Sequence, residues 1–552
     1  MVKKCRFSIV FLLLTLSISV SAQQNKSTTK IVASPSQPKL VIGLVVDQMR
    51  WDYLYKFKKL YGKGGFNRIL SNGFSCDNTM ITHLPTYTAV GHTGIYTGSV
   101  PAIHGIVGNN WIDRASGKNM YCTDDSTVIG VGSNNDAGKM SPKNMLTTTV
   151  SDQLRLSNNF KSKVIGISLK DRGAILPAGH TANAAFWYDD KEGKWISSTF
   201  YMQNLPLWVN VFNDKKMPDS LLALGWNSIM PIKEYDLSTD DKESYEGKIP
   251  GINQNNFPYN TSAIGDKKYK AFRYTPFGNT YTLKFAESAI ENESLGKGSV
   301  TDFLAVSLSS TDYIGHTFGP NSVEIEDTYI RLDKDLTDFF NYLDKTIGAG
   351  NYLFFLTADH GVAHNPEFMK ENKIPAGNYD DNELVKALND TLKSLNLSFP
   401  QVTAIENSQI YFNNNDELIK ANGKAIIKDI VVSLLEKKSF ISHAFDIEKI
   451  TATTLPAAIV EMVKNSYYPK RSGDVMFIPN PGYLDGGKTG TTHGLWNPYD
   501  AHIPLVWYGW NIKSGHSHRE VHMTDIAATL SALLDIQMPN GCVGKVIEEV
   551  VR

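Results

Sequence analysis

The feature that most constrains this chain is the run Lys39-Leu-Val-Ile-Gly-Leu-Val-Val-Asp47, apolar and β-branched almost throughout. A strand with one wet face alternates apolar and polar residues, so an unbroken run predicts a central parallel strand covered on both faces. The pattern returns at Lys163–Leu169, Asp302–Leu308, Tyr352–Thr357 and Ile503–Tyr508. Amphipathic stretches predict helices over Val150–Leu156, Glu324–Thr346 and Met523–Leu534. Strands alternating with helices predict an α/β fold, a largely parallel central sheet flanked by helices.

Two stretches break this rhythm. Residues 185–295, rich in Tyr, Trp, Asn, Lys and Gly, read as an inserted cap. Residues 366–488 carry their own strand and helix signals, at Gln409–Phe412 and Glu417–Lys437, and read as a second αβ insertion. With 42% hydrophobic and 20% charged residues the chain can bury a large core and is not a disordered one. One catalytic domain over residues 38–552 with two insertions is therefore expected, rather than a string of domains.

Residues 1–22 have the form of a secretory signal peptide: Lys3, Lys4 and Arg6, an apolar core from Phe7 to Val20, then the small residues Ser21 and Ala22. That core, about 14 residues, falls short of the ~20 that span a bilayer. Residues 23–37 read as a polar linker. A soluble, exported protein is expected, periplasmic or secreted. The mature chain would keep Cys76, Cys122 and Cys542, too scattered for a thiolate zinc site or a disulfide framework; one bridge plus one free thiol stays open. The 55 basic residues against 56 acidic ones give a net charge of −1, and losing the leader makes the chain more acidic still. Neither nucleic acid nor a membrane surface is an expected partner, and an anionic substrate must be held by a local positive site.

Ligands of open α/β sheets bind beyond the carboxyl ends of the strands. At those ends stand Asp47, then Asp312 and His316 after the 302–308 strand, then Asp359 and His360 after the 352–357 strand. Any one of them has a plain alternative, an Asp capping a helix or a His satisfied in the core. Three strands delivering three Asp and two His to one edge point instead to a metal. Carboxylate and imidazole without thiolate suit zinc or a similar catalytic divalent ion. His493, just ahead of the last core strand, is a further candidate. His83, His92, His104, His180, His364, His443, His502, His516, His518 and His522 are assigned no role. A nucleophile is suggested where Pro85 ends an extended segment and a helix can open. A hydroxyl there, from Thr86 or Thr88, would sit at a positive helix end; simple capping is the alternative for either.

In these residues the sequence resembles the alkaline phosphatase superfamily, in particular the PafA-type phosphate-irrepressible alkaline phosphatases near the nucleotide pyrophosphatase/phosphodiesterase branch. The likeness runs from Val41 to the final helix, through the Asp47 strand, Leu84-Pro-Thr-Tyr-Thr88, His104-Gly-Ile-Val-Gly-Asn-Asn110, Ser168-Leu-Lys-Asp-Arg-Gly173, Thr311-Asp-Tyr-Ile-Gly-His316, Thr357-Ala-Asp-His-Gly361 and Thr492-His-Gly494. The resemblance implies two Zn²⁺, one bound by Asp312, His316 and His493, the other by Asp47, Asp359 and His360, with Thr88 as the nucleophile at the second metal. It also implies that Asn109, Lys170 and Arg172 contact the phosphoryl oxygens. Val90 stands where many relatives carry Pro, a change that removes no functional group.

The expected activity is broad-specificity hydrolysis of small-molecule phosphate monoesters through a phosphothreonine intermediate, by a chain expected to be monomeric. Two metals ~3.5–4 Å apart can stabilise the attacking and the leaving oxygen together. Lys170 and Arg172 flank Asp171 at period two, so in an extended segment both cations would face one side. A phosphodiesterase or nucleotide pyrophosphatase on the same scaffold is the alternative enzyme. A sulfatase is disfavoured, since the Cys/Ser-x-Pro-x-Arg motif of that branch is missing around Thr88. A phosphate- or metal-binding protein without turnover is the non-enzymatic alternative.

Overall fold

The computed structural model describes residues 36–397, 402–413 and 423–552. The expected leader, the linker up to residue 35 and the start of the 417–437 helix signal lie outside the described residues. The Leu40–Val46 strand is buried along its whole length and pairs in parallel with Asp302–Leu308 on one side and Tyr352–Thr357 on the other. Val164–Ser168 and Ala184–Asp189 continue the parallel set beyond Asp302–Leu308. These strands form where the apolar runs lie, because only a position covered on both faces rewards an unbroken run; each fully buried Val, Leu or Ile contributes ~1.5–3 kcal/mol. Gly43 is the small residue of the first run: a Cβ there would stand 2.5 Å from both the Phe355 ring and the Tyr96 hydroxyl oxygen.

Antiparallel strands extend this centre on both sides, Leu505–Gly509 beside Tyr352–Thr357 and Lys194–Ser198 beside Ala184–Asp189, within a sheet of 10 strands. The 503–508 run, expected as one more strand of the sheet, is split at Pro504. His502 and Ile503 pair instead with Thr79 and Met80 in a small separate sheet. Proline has no N–H to give to a ladder, which explains the break.

Helices cover the sheet. Val150–Ser157 opens with a capping box between Thr149 and Asp152, Asp525–Leu533 lies within its expected stretch, and Val323–Leu343 starts one residue before the expected Glu324–Thr346 and ends three before its end. The 185–295 stretch supplies sheet strand Lys194–Ser198, nearly all of Ala184–Asp189, and the 16-residue helix Phe277–Asn292, whose Phe285 stacks on Trp195 at 4.4 Å. The 366–488 stretch builds its own four-stranded sheet from Val402–Glu406, Gln409–Phe412, Ile441–Asp446 and Val475–Pro479. Helices Asp381–Ser394 and Lys424–Leu435 close over it around Leu388, Val431 and Phe477. Cys76, Cys122 and Cys542 are all free thiols.

Candidate active site

Asp47, directly past Val46, meets Asp359 and His360, which follow the neighbouring strand, and Asp312, which follows the strand on the other side. Asp312 and His316 lie four apart on helix Ser310–Phe318, so one face of it carries both, and their Oδ1 and Nε2 stand 3.2 Å apart. His493 arrives on the 490–494 loop, which Asp500 secures by accepting the Gly494 and Leu495 N–H groups. Its ring stacks on His360 with centroids 3.5 Å apart, and its Nε2 lies 3.6 Å from Asp312 Oδ1.

The three imidazoles share one arrangement. Nδ1 of His316 donates to Thr491 O at 2.8 Å, Nδ1 of His493 to Thr86 O at 2.7 Å and Nδ1 of His360 to Gly361 O at 3.0 Å. A carbonyl only accepts, so each Nδ1 carries a proton, and in the neutral ring the Nε2 lone pair faces the cluster. Asp47, Asp359, His360 and Asp312, His360, His493 each bring three ligand atoms within 4.8 Å of one another.

Charge in the cluster is unbalanced. Asp47, Asp312 and Asp359 are all buried, and the cation among them is Lys170, whose Nζ stands 2.7 Å from Asp47 Oδ2 and donates to Asp312 Oδ2 at 2.6 Å. Burial, reinforced by Asp312 and Asp359, holds the Asp47 carboxyl well above the usual range despite Lys170. Burial opposes the charge of Lys170, but Asp312 and Asp47 outweigh it and its pKa is raised. Asp47 Oδ1 and Asp359 Oδ2 are buried without a hydrogen-bond donor. Unpartnered carboxylate oxygens, imidazole Nε2 atoms turned to the cluster and excess negative charge are what divalent cations would satisfy, so the donor set, whose two groups share His360, fits metal ions.

Thr88 opens helix Thr88–Thr97 as its first residue, and Tyr87 rather than a threonine occupies the capping position. Its Oγ1 lies 3.4 Å from His360 Nε2 and 3.4 Å from Lys170 Nζ. Thr86, the other hydroxyl of this segment, donates to Leu495 O at 2.9 Å and is already used. Asn109 Oδ1 accepts the Ala89 N–H at 3.0 Å, which leaves its NH₂ as a donor. Val90 is buried in the helix beside Ile106 and Leu176.

One local expectation is corrected. Lys170 and Arg172 do not share a side of an extended segment, because Lys170 caps helix Asp171–Ala178 and the period-two alternation ends there. Lys170 points inward to the carboxylates, whereas Arg172 is half-buried and donates to the Tyr121 hydroxyl at 2.9 Å. Two further residues position the cluster. Gln48, with φ of 67°, donates its N–H to Asp359 Oδ1 and its amide to Asp312 Oδ1, joining the two ligand sets. His92, assigned no role above, bridges Thr88 O and Ser307 Oγ at 2.8 Å each and lies 3.3 Å from Asp359. Its place one helical turn after Thr88 was the signal that could have found it.

The model of the type I phosphodiesterase/nucleotide pyrophosphatase family matches residues 41–502, and the chain belongs to that family. Within the alkaline phosphatase superfamily it is similar to the PafA type. It is 50% identical over 524 residues to alkaline phosphatase PafA of Elizabethkingia meningoseptica, covering 93% of this chain and 95% of that one. It is also 50% identical over 553 residues to alkaline phosphatase PhoV of Synechococcus elongatus, covering 98% and 99%. The crystal structure of wild-type PafA superposes with a TM-score of 0.90 at 49% identity, covering 94% of this chain and 99% of that one.

Proposed function

We propose that this protein is an exported, broad-specificity phosphate monoester hydrolase working through a Thr88 phosphothreonine. The carrying observation is Thr88 Oγ1, 3.4 Å from both His360 Nε2 and Lys170 Nζ, at a helix start between the two ligand sets. Asp312, His316 and His493 would hold one zinc, and Asp47, Asp359 and His360 the other. When bound, the ions supply the positive charge that lets a threonine hydroxyl attack near neutral pH and an alcohol depart.

Thr88 Oγ forms its bond to phosphorus as the ester oxygen leaves with its alcohol; water then cleaves the Thr88 O–P bond, restoring the hydroxyl and releasing phosphate. His92 and Gln48 keep Thr88 and the carboxylates in register. Asn109, Lys170 and Arg172 give donors to the non-bridging oxygens, whose dianionic charge a monoester keeps and a diester halves. The reading assigns residues 38–552 to one catalytic domain with insertions at about 185–295 and 366–488, preceded by a leader over 1–22. It expects a monomer in the periplasm or outside the cell; no described helix is long and apolar enough to cross a membrane.

The alternative is a phosphodiesterase on the same site. Comparing kcat/KM for p-nitrophenyl phosphate and a matched methyl diester on one purified sample separates the two. Monoester preference is expected, and preference for the diester would replace this reading.

A further inference from the structure

In an in-line displacement the leaving group departs from the side opposite the nucleophile. A leaving alcohol therefore points away from Thr88, and the cavity that His316 and His493 border is the space assigned to it. That cavity, of about 450 Å³, is bounded on the chemical side by Asn109, His316 and His493. Its other wall comes from the 366–488 insertion and carries Asp381, Glu406 and Asp485. Among the described residues no Lys or Arg lines it.

The three acids come from separate elements: Asp381 opens helix Asp381–Ser394, and Glu406 and Asp485 end two different strands. Glu406 accepts from the Asn119 amide at 3.0 Å, and Asp485 accepts the Asp381 N–H at 3.1 Å. Asp381 Oδ1 is buried without a donor. Burial, with Asp485 and Glu406 adding, pushes the Asp381 carboxyl up to about 8, so the wall gains from any positive group placed before it.

We infer that Asp381, Glu406 and Asp485 form a leaving-group wall that selects, among phosphate monoesters, those whose alcohol carries a positive charge. Aminoalkyl and quaternary-ammonium-alkyl phosphates are the favoured class, neutral alkyl phosphates come next, and carboxylated ones are disfavoured by like charge. The inference rests on the monoesterase reading. It makes the inserted subdomain the specificity element of a site whose chemistry belongs to the sheet.

The test uses two esters of one shape, choline phosphate and 3,3-dimethylbutyl phosphate, which differ by the charge at the quaternary centre. Their kcat/KM ratio is measured for the wild type and for the Asp381→Asn/Glu406→Gln/Asp485→Asn variant. The intrinsic reactivity of the two alcohols is common to both proteins and cancels when the ratios are compared. The ratio should fall about tenfold in the variant, and the wild-type ratio should shrink as salt rises from about 0.02 to 0.5 M. If the triple variant does not fold, Glu406→Gln alone should lower the ratio about threefold. Both esters turned over with a ratio unchanged between wild type and variant overturns this inference alone. Neither ester turned over by the wild type overturns the monoesterase reading, and this inference with it.

Discussion

Two groups of buried acids in this fold meet the same electrostatic problem and solve it differently. At the strand ends, Asp47, Asp312 and Asp359 face one ammonium and three imidazoles. In the first turns of helix Val323–Leu343, Glu324, Glu326 and Asp327 face loops of the 185–295 stretch. Asp327 accepts from Trp226 Nε1, the Ile229 N–H, the Tyr235 hydroxyl and Arg331, while Glu326 accepts from Ser238 and Glu324 from Tyr259. Burial, against the Tyr259 hydrogen bond, raises Glu324 to about 8, so this group sheds excess charge by holding a proton. The strand-end group instead gathers carboxylate oxygens and imidazole nitrogens into clusters, a donor set that fits cations. Burial of acids is thus no mark of a site by itself; the partners decide.

The largest effect should come from removing those cations. Dialysis against a strong chelator should abolish turnover and Zn²⁺ should restore it, and full activity in a sample proved metal-free by elemental analysis would collapse the distinction between the two groups. Next, Lys170→Ala/Arg172→Ala should cost two to four orders of magnitude in monoester kcat/KM. Each charged hydrogen bond is worth ~1.5–3 kcal/mol, and a tenfold change in rate ~1.4 kcal/mol. Diester turnover should fall far less; an unchanged monoester-to-diester ratio would show that these cations do not discriminate.

The helix group should answer in stability rather than rate. Asp327→Ala leaves several buried donors unpaired and should lower the unfolding free energy by about 3 kcal/mol, with kcat near wild type. A large loss of kcat in folded Asp327→Ala protein would mean the two groups are coupled. The smallest effect is one of pH. A carboxyl whose pKa is higher in the fold binds an extra proton there, so its contribution is full below its unfolded pKa, ~4.3, and is lost as pH rises toward about 8. Glu324→Gln should flatten the decline in stability between about pH 5 and 8. An equal decline in the variant would assign it to another group.

Much of this was legible in sequence, for physical reasons. Strands covered on both faces must be apolar throughout, so Leu40–Val46, Asp302–Leu308 and Tyr352–Thr357 announce themselves, and the Asp and His residues past their ends follow. Phe74–Cys76 is too short for periodicity, Lys194–Ser198 mixes aromatic and small polar residues, and Ala184–Asp189 lacks the β-branched residues of the other runs, so these strands were hidden. Lys170 was misjudged because its conformation depends on a helix starting one residue later. Gln48 and the Asp381, Glu406 and Asp485 wall depend on tertiary approach, which no local pattern encodes.

The central claim is that Thr88 attacks phosphorus, and quenching turnover in acid and mapping the phosphorylated peptide tests it most directly. Phosphate on Thr88 is the predicted result. With it, Thr88→Ala should lose at least ~10³-fold in kcat/KM, about 4 kcal/mol of transition-state stabilisation, while Thr88→Ser keeps substantial activity and Thr86→Ala loses much less. Phosphate trapped on another residue, or Thr88→Ala turning over near the wild-type rate, would contradict the account.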